Sequence, residues 1–418
     1  MTTIQEIYKR YQQTFLIDTD TRKIRKNAIF FALKGANFNG NTFAKEALNN
    51  GASIAIIDEK AYEIPGKTIL VKNVLTTLQE LAKYHRKQLT IPVIGLTGSN
   101  GKTTTKELLN VILQKGFKTT ATTGNLNNHI GVPLSILSVK PGCEIAIIEM
   151  GANHQKEIAF LSEIAAPDYG YITNFGKAHL EGFGGVEGVI KGKSELYTYL
   201  IQNNKTAFVN PKDPIQIEKT KDCKTILINE NIRFIKAKPF VSLSYNDVII
   251  ESNLVGKYNY NNIAIAVTVG IYFKIDILDI KSAIEAYTPS NNRSQIIKKA
   301  TNTILLDAYN ANPSSMEVAL ENFANLDAVT KTVILGDMFE LGIDSAKEHQ
   351  AIAKLTDNYC FSKTIYVGEQ FYQTKSNNLK FKNFNELKSY LEKESITNQT
   401  FLIKGSRGMQ LERIVDFL

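Results

Sequence analysis

The sequence predicts an α/β protein of three domains: a small first unit, a central parallel sheet, and a doubly wound third unit. Three observations carry this. The chain has 418 residues, beyond the roughly 250–300 at which a single hydrophobic core stops growing. From Pro92 a continuous apolar run, a glycine-rich turn and a helical pattern follow one another directly, the signature of a buried strand feeding a helix. After about Ser290 apolar runs alternate regularly with helical patterns, as parallel strands joined by crossover helices do.

Up to Gln88, apolar runs at 28–33, 53–57 and 68–71 and a helical pattern at 75–87 describe a small α/β domain, residues 1–88. The polar stretch 86–92 ends in Pro92 and reads as a linker. The second domain, 89–290, opens with a strand at 92–96, turns through glycines, and enters a helix from about Lys102 to Lys115. Strands at 144–149 and 169–174 follow, with helical stretches between them. From 211 to 252 the pattern fades to a few short strands. The third domain, 291–418, has strands at 303–307, 332–336, 364–368 and 400–404, followed by helical patterns at 313–323, 346–355, 384–392 and 409–417. That alternation is Rossmann-like.

The balance of charge excludes several partners. The net charge is +8, yet the lysines are spread along the chain and no basic block is interleaved with aromatics. Nucleic acid is therefore not expected, and an anionic small substrate fits the excess as well. No apolar run nears the roughly 20 residues of a membrane span, and the N-terminal stretch is polar and charged, so a cytoplasmic protein is expected. Cys143, Cys223 and Cys360 lie far apart, which suggests neither a disulfide framework nor a zinc site. A monomer is the expected state.

The strongest chemical signal is the turn Gly98-Ser99-Asn100-Gly101-Lys102-Thr103-Thr104 between strand and helix. Its backbone N–H groups and the helix N-terminus can cradle phosphates, Lys102 supplies a positive charge, and the Thr103 hydroxyl is placed for magnesium. The strict P-loop spacing would put glycine at Leu96; the strand-turn-helix context outweighs that departure. Glu149 closes an apolar strand, where a carboxylate faces the ligand crevice of a parallel sheet and suits Mg²⁺; the plain alternative is a strand end meeting solvent or a lysine. On their own residues His179 reads as a structural or surface histidine and Lys193 as a helix-surface lysine. The stretch Asp307-Ala308-Tyr309-Asn310-Ala311-Asn312-Pro313 reads either as a ligand site or as helix capping by Asn312. Asn259 and Asn262 share one helix face, as ligand contacts or as exposed polar residues.

Together these stretches resemble the Mur ligases, the amide ligases of bacterial cell-wall precursor synthesis. The resemblance spans nearly the whole chain, through Asp20-Thr21-Arg22, the Thr97–Thr104 loop, Thr123-Gly124-Asn125-Leu126-Asn127-Asn128, Glu149-Met150-Gly151-Ala152-Asn153 and Ala178-His179-Leu180-Glu181-Gly182-Phe183. It continues in Lys404-Gly405-Ser406-Arg407, while Tyr309-Asn310-Ala311-Asn312-Pro313 and Leu335-Gly336-Asp337-Met338-Phe339-Glu340-Leu341-Gly342 single out the branch that adds D-alanyl-D-alanine.

The resemblance implies an ATP-dependent, ADP-forming ligation of D-alanyl-D-alanine to a UDP-linked muramoyl tripeptide through an acyl phosphate, with one domain for the UDP substrate, one for ATP and one for the dipeptide. It implies Mg²⁺ held by Thr103, Glu149, His179 and Lys193, the last carbamylated, and a catalytic set of Lys102, Lys193 and His179. ATP would meet the loop, Asn259, Asn262, Arg293 and Asp307. Substrate contacts would come from Thr21 and Arg22 at the uridine nucleotide, from Thr123, Asn125, Asn128, Tyr309 and Asn310, and from Lys404, Ser406 and Arg407 at the dipeptide carboxylate. The chain departs from the family in two places. Tyr258 stands where the pattern before Asn259 has histidine, and Lys193 lies in Gly-Lys-Ser-Glu in place of Ala-Lys-Gly-Glu, with Lys191 two residues away. The roughly 90 residues before the loop speak against a folate-extending ligase, and no Asn-Lys-x-Asp motif marks a guanine-nucleotide switch.

Overall fold

The computed structural model describes residues 2–290, 292–394 and 396–418. The expected boundary between residues 290 and 291 falls at Asn291, outside the described residues. No helix among the described residues is long and apolar enough to cross a membrane.

The first sheet is parallel and runs in chain order, Ile17–Asp18, Ile29–Phe31, Ile54–Ile57 and Thr68–Leu70. The helix Val74–Gln88 starts where the Asn73 side chain accepts from the Thr76 N–H, and it buries Leu78, Leu81 and Ala82. The expected linker at 86–92 begins inside this helix. Arg86 is buried, with its guanidinium on the Ala165 and Ala166 carbonyls and 2.7 Å from Asp168. His85 beside it is bonded to the Val139 carbonyl. A polar run reads as solvated in sequence, but here its cation, with the preceding imidazole, fastens the first unit to the second.

The central sheet has six parallel strands in the order Lys224–Leu227, Thr206–Val209, Tyr169–Ile172, Val93–Thr97, Ile145–Glu149 and Thr119–Ala121. Its middle strands are apolar up to their last residues because both faces are covered. Ile145 and Ile147 join the core that holds Ile263 and Val267 of the helix Asn259–Tyr272, while Ala146 and Ile148 face the opposite core with Leu161 and Leu196. The expected strand at 169–174 ends at Ile172, and Thr173 and Asn174 turn toward the glycine-rich loop. The stretch 211–252 holds the helix Pro214–Lys219, the edge strand Lys224–Leu227 and most of a three-stranded antiparallel sheet: Ile232–Ala237, Phe240–Tyr245 and Val248–Val255. Its strand Ile232–Ala237 is mostly exposed, which is why no buried run betrays it.

The third sheet runs Gln295–Lys299, Asn302–Asp307, Thr400–Lys404, Lys331–Gly336, Lys363–Val367 and Leu379–Phe381, antiparallel only at the first pair. The four central strands are those expected. The two outer ones lie outside the sequence reading, since edge strands are short and half-exposed and lack a buried apolar run. The expected helix at 409–417 is instead a pair of 3-10 turns, Arg407–Met409 and Leu411–Phe417, separated by the left-handed Gln410 at φ 49°.

Candidate active site

Strand ends of the second and third sheets meet across one cleft of about 850 Å³, lined by the glycine-rich loop, Glu149 and Asn174 on one side and by Asp307, Tyr309 and Lys404 on the other. Gly98 takes φ +141° and passes so close to Thr173 that a Cβ would lie 1.9 Å from its Oγ1. Only glycine allows that approach. The loop is then tied down by Ser99 N–H to the Asn174 carbonyl at 3.0 Å and by the Thr173 hydroxyl donating to the Asn100 carbonyl at 2.5 Å.

From this loop the helix Lys102–Leu113 points its free N–H groups at the cleft, the arrangement that binds phosphate. Lys102 curls back, its Nζ donating to the Gly98 carbonyl at 2.7 Å and the Ser99 carbonyl at 3.2 Å. Burial pulls its pKa down to about 8, opposed by the Glu149 carboxylate and assisted by the Arg293 cation. Thr103 and Thr104 stand on the cleft wall.

Asn259 and Asn262 are buried, which overturns their reading as exposed helix polar residues. Asn262 donates to Asn259 Oδ1 at 2.8 Å and accepts from the Thr105 hydroxyl at 3.2 Å, so the pair backs the loop. Glu149 is only 1% exposed. Its Oε1 accepts from Asn127 Nδ2 at 2.8 Å, while Oε2 has no hydrogen-bond partner. A buried carboxylate oxygen without a partner costs free energy unless a cation meets it. Mg²⁺ fits this site: it wants few protein oxygens, here Glu149 and the Thr103 hydroxyl, and takes the rest of its shell from water and phosphate. Among the described residues no group of three or more His, Cys, Asp and Glu side chains converges as a metal cage.

His179 sits at φ 53°, lines the cleft, and binds the carboxylate of Glu340 from the third sheet's side through Nδ1. Lys193, on the helix Val186–Gln202, is no surface lysine: it is fully buried, with Nζ 3.0 Å from the Ala152 carbonyl and 4.8 Å from the centre of the Phe183 ring. Burial drives its pKa far down, and the Lys102 cation adds to this. It lies behind Ala152, which is on the wall, and not on the wall itself.

Across the cleft, Arg293 stacks on the Tyr309 ring at 3.7 Å. Asn310 lines the cleft with Tyr309. Asn312 caps the helix Pro313–Ala324 by accepting from the Ser315 N–H at 2.9 Å, and its amide also donates to Asn100 Oδ1 at 2.8 Å, so capping and site building coincide.

Other expected contact residues have protein partners in this structure. Lys404 faces the cleft, but its ammonium is taken by Asp307 and the Asn310 carbonyl. Ser406 is buried and accepts from the Phe339 N–H at 2.9 Å, and Arg407 pairs with Glu412 at 2.6 Å; neither lines the cleft. Thr21 and Arg22 form a 3-10 turn on the first domain, with Arg22 on Asp20, also outside it. Asn125 and Asn128 line the cleft and Thr123 does not. Sequence reasoning assigned no role to Asn127, Asn174, Ser314 or Glu340. Asn127, Asn174 and Glu340 are polar residues past a strand or inside a polar turn, and Ser314 lies in the first turn of the helix Pro313–Ala324, signals shared with ordinary loops and helix starts.

A glycine-rich phosphate loop on a parallel sheet, closed over by the charged strand ends of a second sheet, defines a nucleotide-binding protein built for group transfer. The chain belongs to the Mur ligase family. Residues 15–93 match the Mur ligase family catalytic domain, 96–270 the Mur ligase middle domain, and 292–407 the Mur ligase glutamate ligase domain. It is 32% identical to the UDP-N-acetylmuramoyl-tripeptide--D-alanyl-D-alanine ligase of Bacillus subtilis, over 97% of this chain and 94% of that protein. The Escherichia coli ligase of the same name is 30% identical, over 96% and 92%. Among solved structures, MurF from Acinetobacter baumannii superposes with a TM-score of 0.85 at 30% identity, covering 96% of this chain and 92% of that one. MurF from Thermotoga maritima in complex with ADP gives 0.83 at 26% identity, covering 96% of each.

Proposed function

We propose that this chain joins D-alanyl-D-alanine to a UDP-N-acetylmuramoyl tripeptide at the expense of ATP, through an acyl phosphate. The observation that carries this reading is the placement of Lys102 and the unpartnered Glu149 oxygen in one cleft, which the strand ends of the third sheet close. The names of the relatives support the same substrates.

A carboxylate is a poor acyl donor, so the tripeptide carboxylate must first take the γ-phosphoryl group. The loop N–H groups and Lys102 hold the β- and γ-phosphates and offset charge spreading over the transferring group. Lys102 leaves the Gly98 carbonyl to do so, since an ammonium bonds phosphate more strongly than a neutral carbonyl. Magnesium would be held by Thr103, Glu149 and His179 and would neutralise phosphate charge. The dipeptide amine then attacks the acyl carbon, the carbon–nitrogen bond forms and phosphate leaves. The contacts between Asn100 and Asn312, and between the Lys177 N–H and the Ser314 hydroxyl at 2.9 Å, hold the third domain over the loop, where it excludes water from the acyl phosphate.

Residues 1–88, with Thr21 and Arg22, take the UDP substrate in this reading, 89–290 take ATP, and 291–418 take the dipeptide. Arg293, Asp307, Asn259 and Asn262 face the nucleotide, while Asn125, Asn128, Tyr309 and Asn310 face the substrates to be joined. Burial shifts Lys193 toward its neutral amine, the form that captures carbon dioxide, which supports carbamylation; growth in ¹³C-bicarbonate should give a carbamate carbon signal that is lost in Lys193→Ala. A nucleotide-linked precursor and ATP point to the cytoplasm.

The test is phosphate release from Mg-ATP with UDP-muramoyl tripeptide, with and without D-alanyl-D-alanine, with product mass at the end. Dipeptide-dependent release and a product heavier by one amide-linked dipeptide are expected. Release without an amide product, or none with any tripeptide, overturns the reading.

A further inference from the structure

We propose that Glu340 is a positioning residue for His179, supplied across the cleft by the third domain, so that the magnesium side of the site is complete only when that domain is docked. The inference rests on the ligase reading for what His179 does, but the contact itself stands on geometry.

Glu340 reaches His179 from a loop braced in its own domain. The loop leaves the strand Lys331–Gly336 at Asp337, whose carboxylate accepts from the Gln370 and Phe371 N–H groups at 3.0 and 2.9 Å. Met338 N–H donates to His349 Nε2 at 3.0 Å, Phe339 N–H donates to Ser406 Oγ at 2.9 Å, and Leu341 is buried. Residues 337 to 339 are thus fixed by their own domain, and the side chain of Glu340 goes to the other.

There the two segments meet in matching strain. Glu340 has φ 61° and His179 φ 53°. Left-handed backbone is uncommon for residues other than glycine and asparagine, and it persists where the surroundings hold it. The Glu340 carbonyl accepts from the Glu181 N–H at 3.2 Å, so backbone and side chain dock together on 179–181. A carboxylate only accepts, so the proton of the shared bond sits on His179 Nδ1, and in the neutral ring Nε2 is then the nitrogen with the lone pair. That tautomer is the one a metal-binding imidazole needs, and a carboxylate on the far nitrogen is its usual means of support. What differs here is its origin in a different domain. Ser406 thereby gains a role: it holds the loop that delivers Glu340.

The test uses Glu340→Ala and Glu340→Gln in the full chain, with two readouts. In steady state, Glu340→Ala should lower kcat about 10–100-fold, as removal of a carboxylate behind a metal-binding histidine does, and raise the magnesium needed for half-maximal rate, with KM for the UDP substrate unchanged. Glutamine, whose amide oxygen still accepts, should restore most of the loss. Independently, with only five histidines in the chain, side-chain ¹⁵N spectra assigned by His179→Asn should show His179 protonated at Nδ1 in the wild type and mixed between tautomers in Glu340→Ala. An alanine variant with wild-type rate and magnesium dependence, or with an unchanged His179 spectrum, overturns the proposal. Should the wild type form no amide at all, the ligase reading falls while the histidine spectra still decide on Glu340.

Discussion

Lys404 and Asp307 are register partners at the ends of adjacent parallel strands, and Lys404 Nζ lies 2.5 Å from Asp307 Oδ2. The lysine is the buried member, with 3% of its side chain exposed against 19% for the aspartate. An ammonium so placed serves Asp307 first. Lys404→Met removes it and leaves a largely desolvated carboxylate. Because Asp307 keeps some solvent, the loss of stability should sit near or below the ~3 kcal/mol lower end for broken buried pairs. Chemical denaturation measures it, and KM for ATP should rise while KM for the dipeptide stays. A dipeptide KM that rises alone would return Lys404 to the dipeptide carboxylate.

Tyr258, which replaces a family histidine, has work to do at the other oxygen of the same carboxylate. Its hydroxyl is 2.6 Å from Ser294 Oγ, and the Ser294 N–H donates to Asp307 Oδ1 at 3.1 Å. Tyr258→Phe deletes one buried hydrogen bond, worth about 1 kcal/mol. KM for ATP should therefore rise about fivefold, with KM for the UDP substrate unaffected; equal shifts in both would show general loosening of the fold.

For Glu149→Gln, function and stability should part. The substitution keeps an acceptor for Asn127 and removes a buried charge, so the ligand-free variant should unfold within about 1 kcal/mol of wild type, while ligation drops by at least about 10²-fold. Stabilisation by Mg-ADP over ADP alone, read as a thermal shift, should vanish.

Acid should weaken the fold before it reaches the carboxylate range. Burial lowers the pKa of both His85 and His349. Unfolded histidine titrates near 6.5, so below about pH 6.5 the unfolded chain takes up protons that the folded chain refuses, and stability falls with pH until the folded values are reached. Each histidine can contribute a slope of up to about 1.4 kcal/mol per pH unit. The groups facing His349 are Asp337, Glu348, the Met338 N–H, the Ser345 hydroxyl and carbonyl and the Phe371 ring; those facing His85 are the Tyr8 hydroxyl, the Val139 carbonyl and the Tyr11 and Phe15 rings. Asp337, raised by burial, works the other way but nearer the carboxylate range. Denaturant titrations at pH 7.5, 6.5 and 5.5 should show this decline, and His349→Gln should remove its own share of the slope.

Sequence alone determined what short-range chemistry specifies. The loop from Gly98 to Thr104 was legible because phosphate binding there needs backbone amides, a lysine and glycines in a fixed local order. The four central strands of the third sheet were legible because burial on both faces demands continuous apolar runs. The outer strands Gln295–Lys299 and Leu379–Phe381 were not, since one side of an edge strand meets solvent and its composition is free.

Only the tertiary structure decided which polar residues meet. Nothing local distinguishes the buried Lys193 from a surface lysine, Arg86 from a linker residue, or Glu340 from any loop glutamate, because each is defined by a partner far away in sequence: Ala152, Asp168 and His179. The same holds for Ser406, whose motif position suggests a substrate and whose hydroxyl accepts from the Phe339 N–H. Local sequence fixes the shape of a loop or a strand, whereas desolvation and pairing are set by what the rest of the chain brings against it.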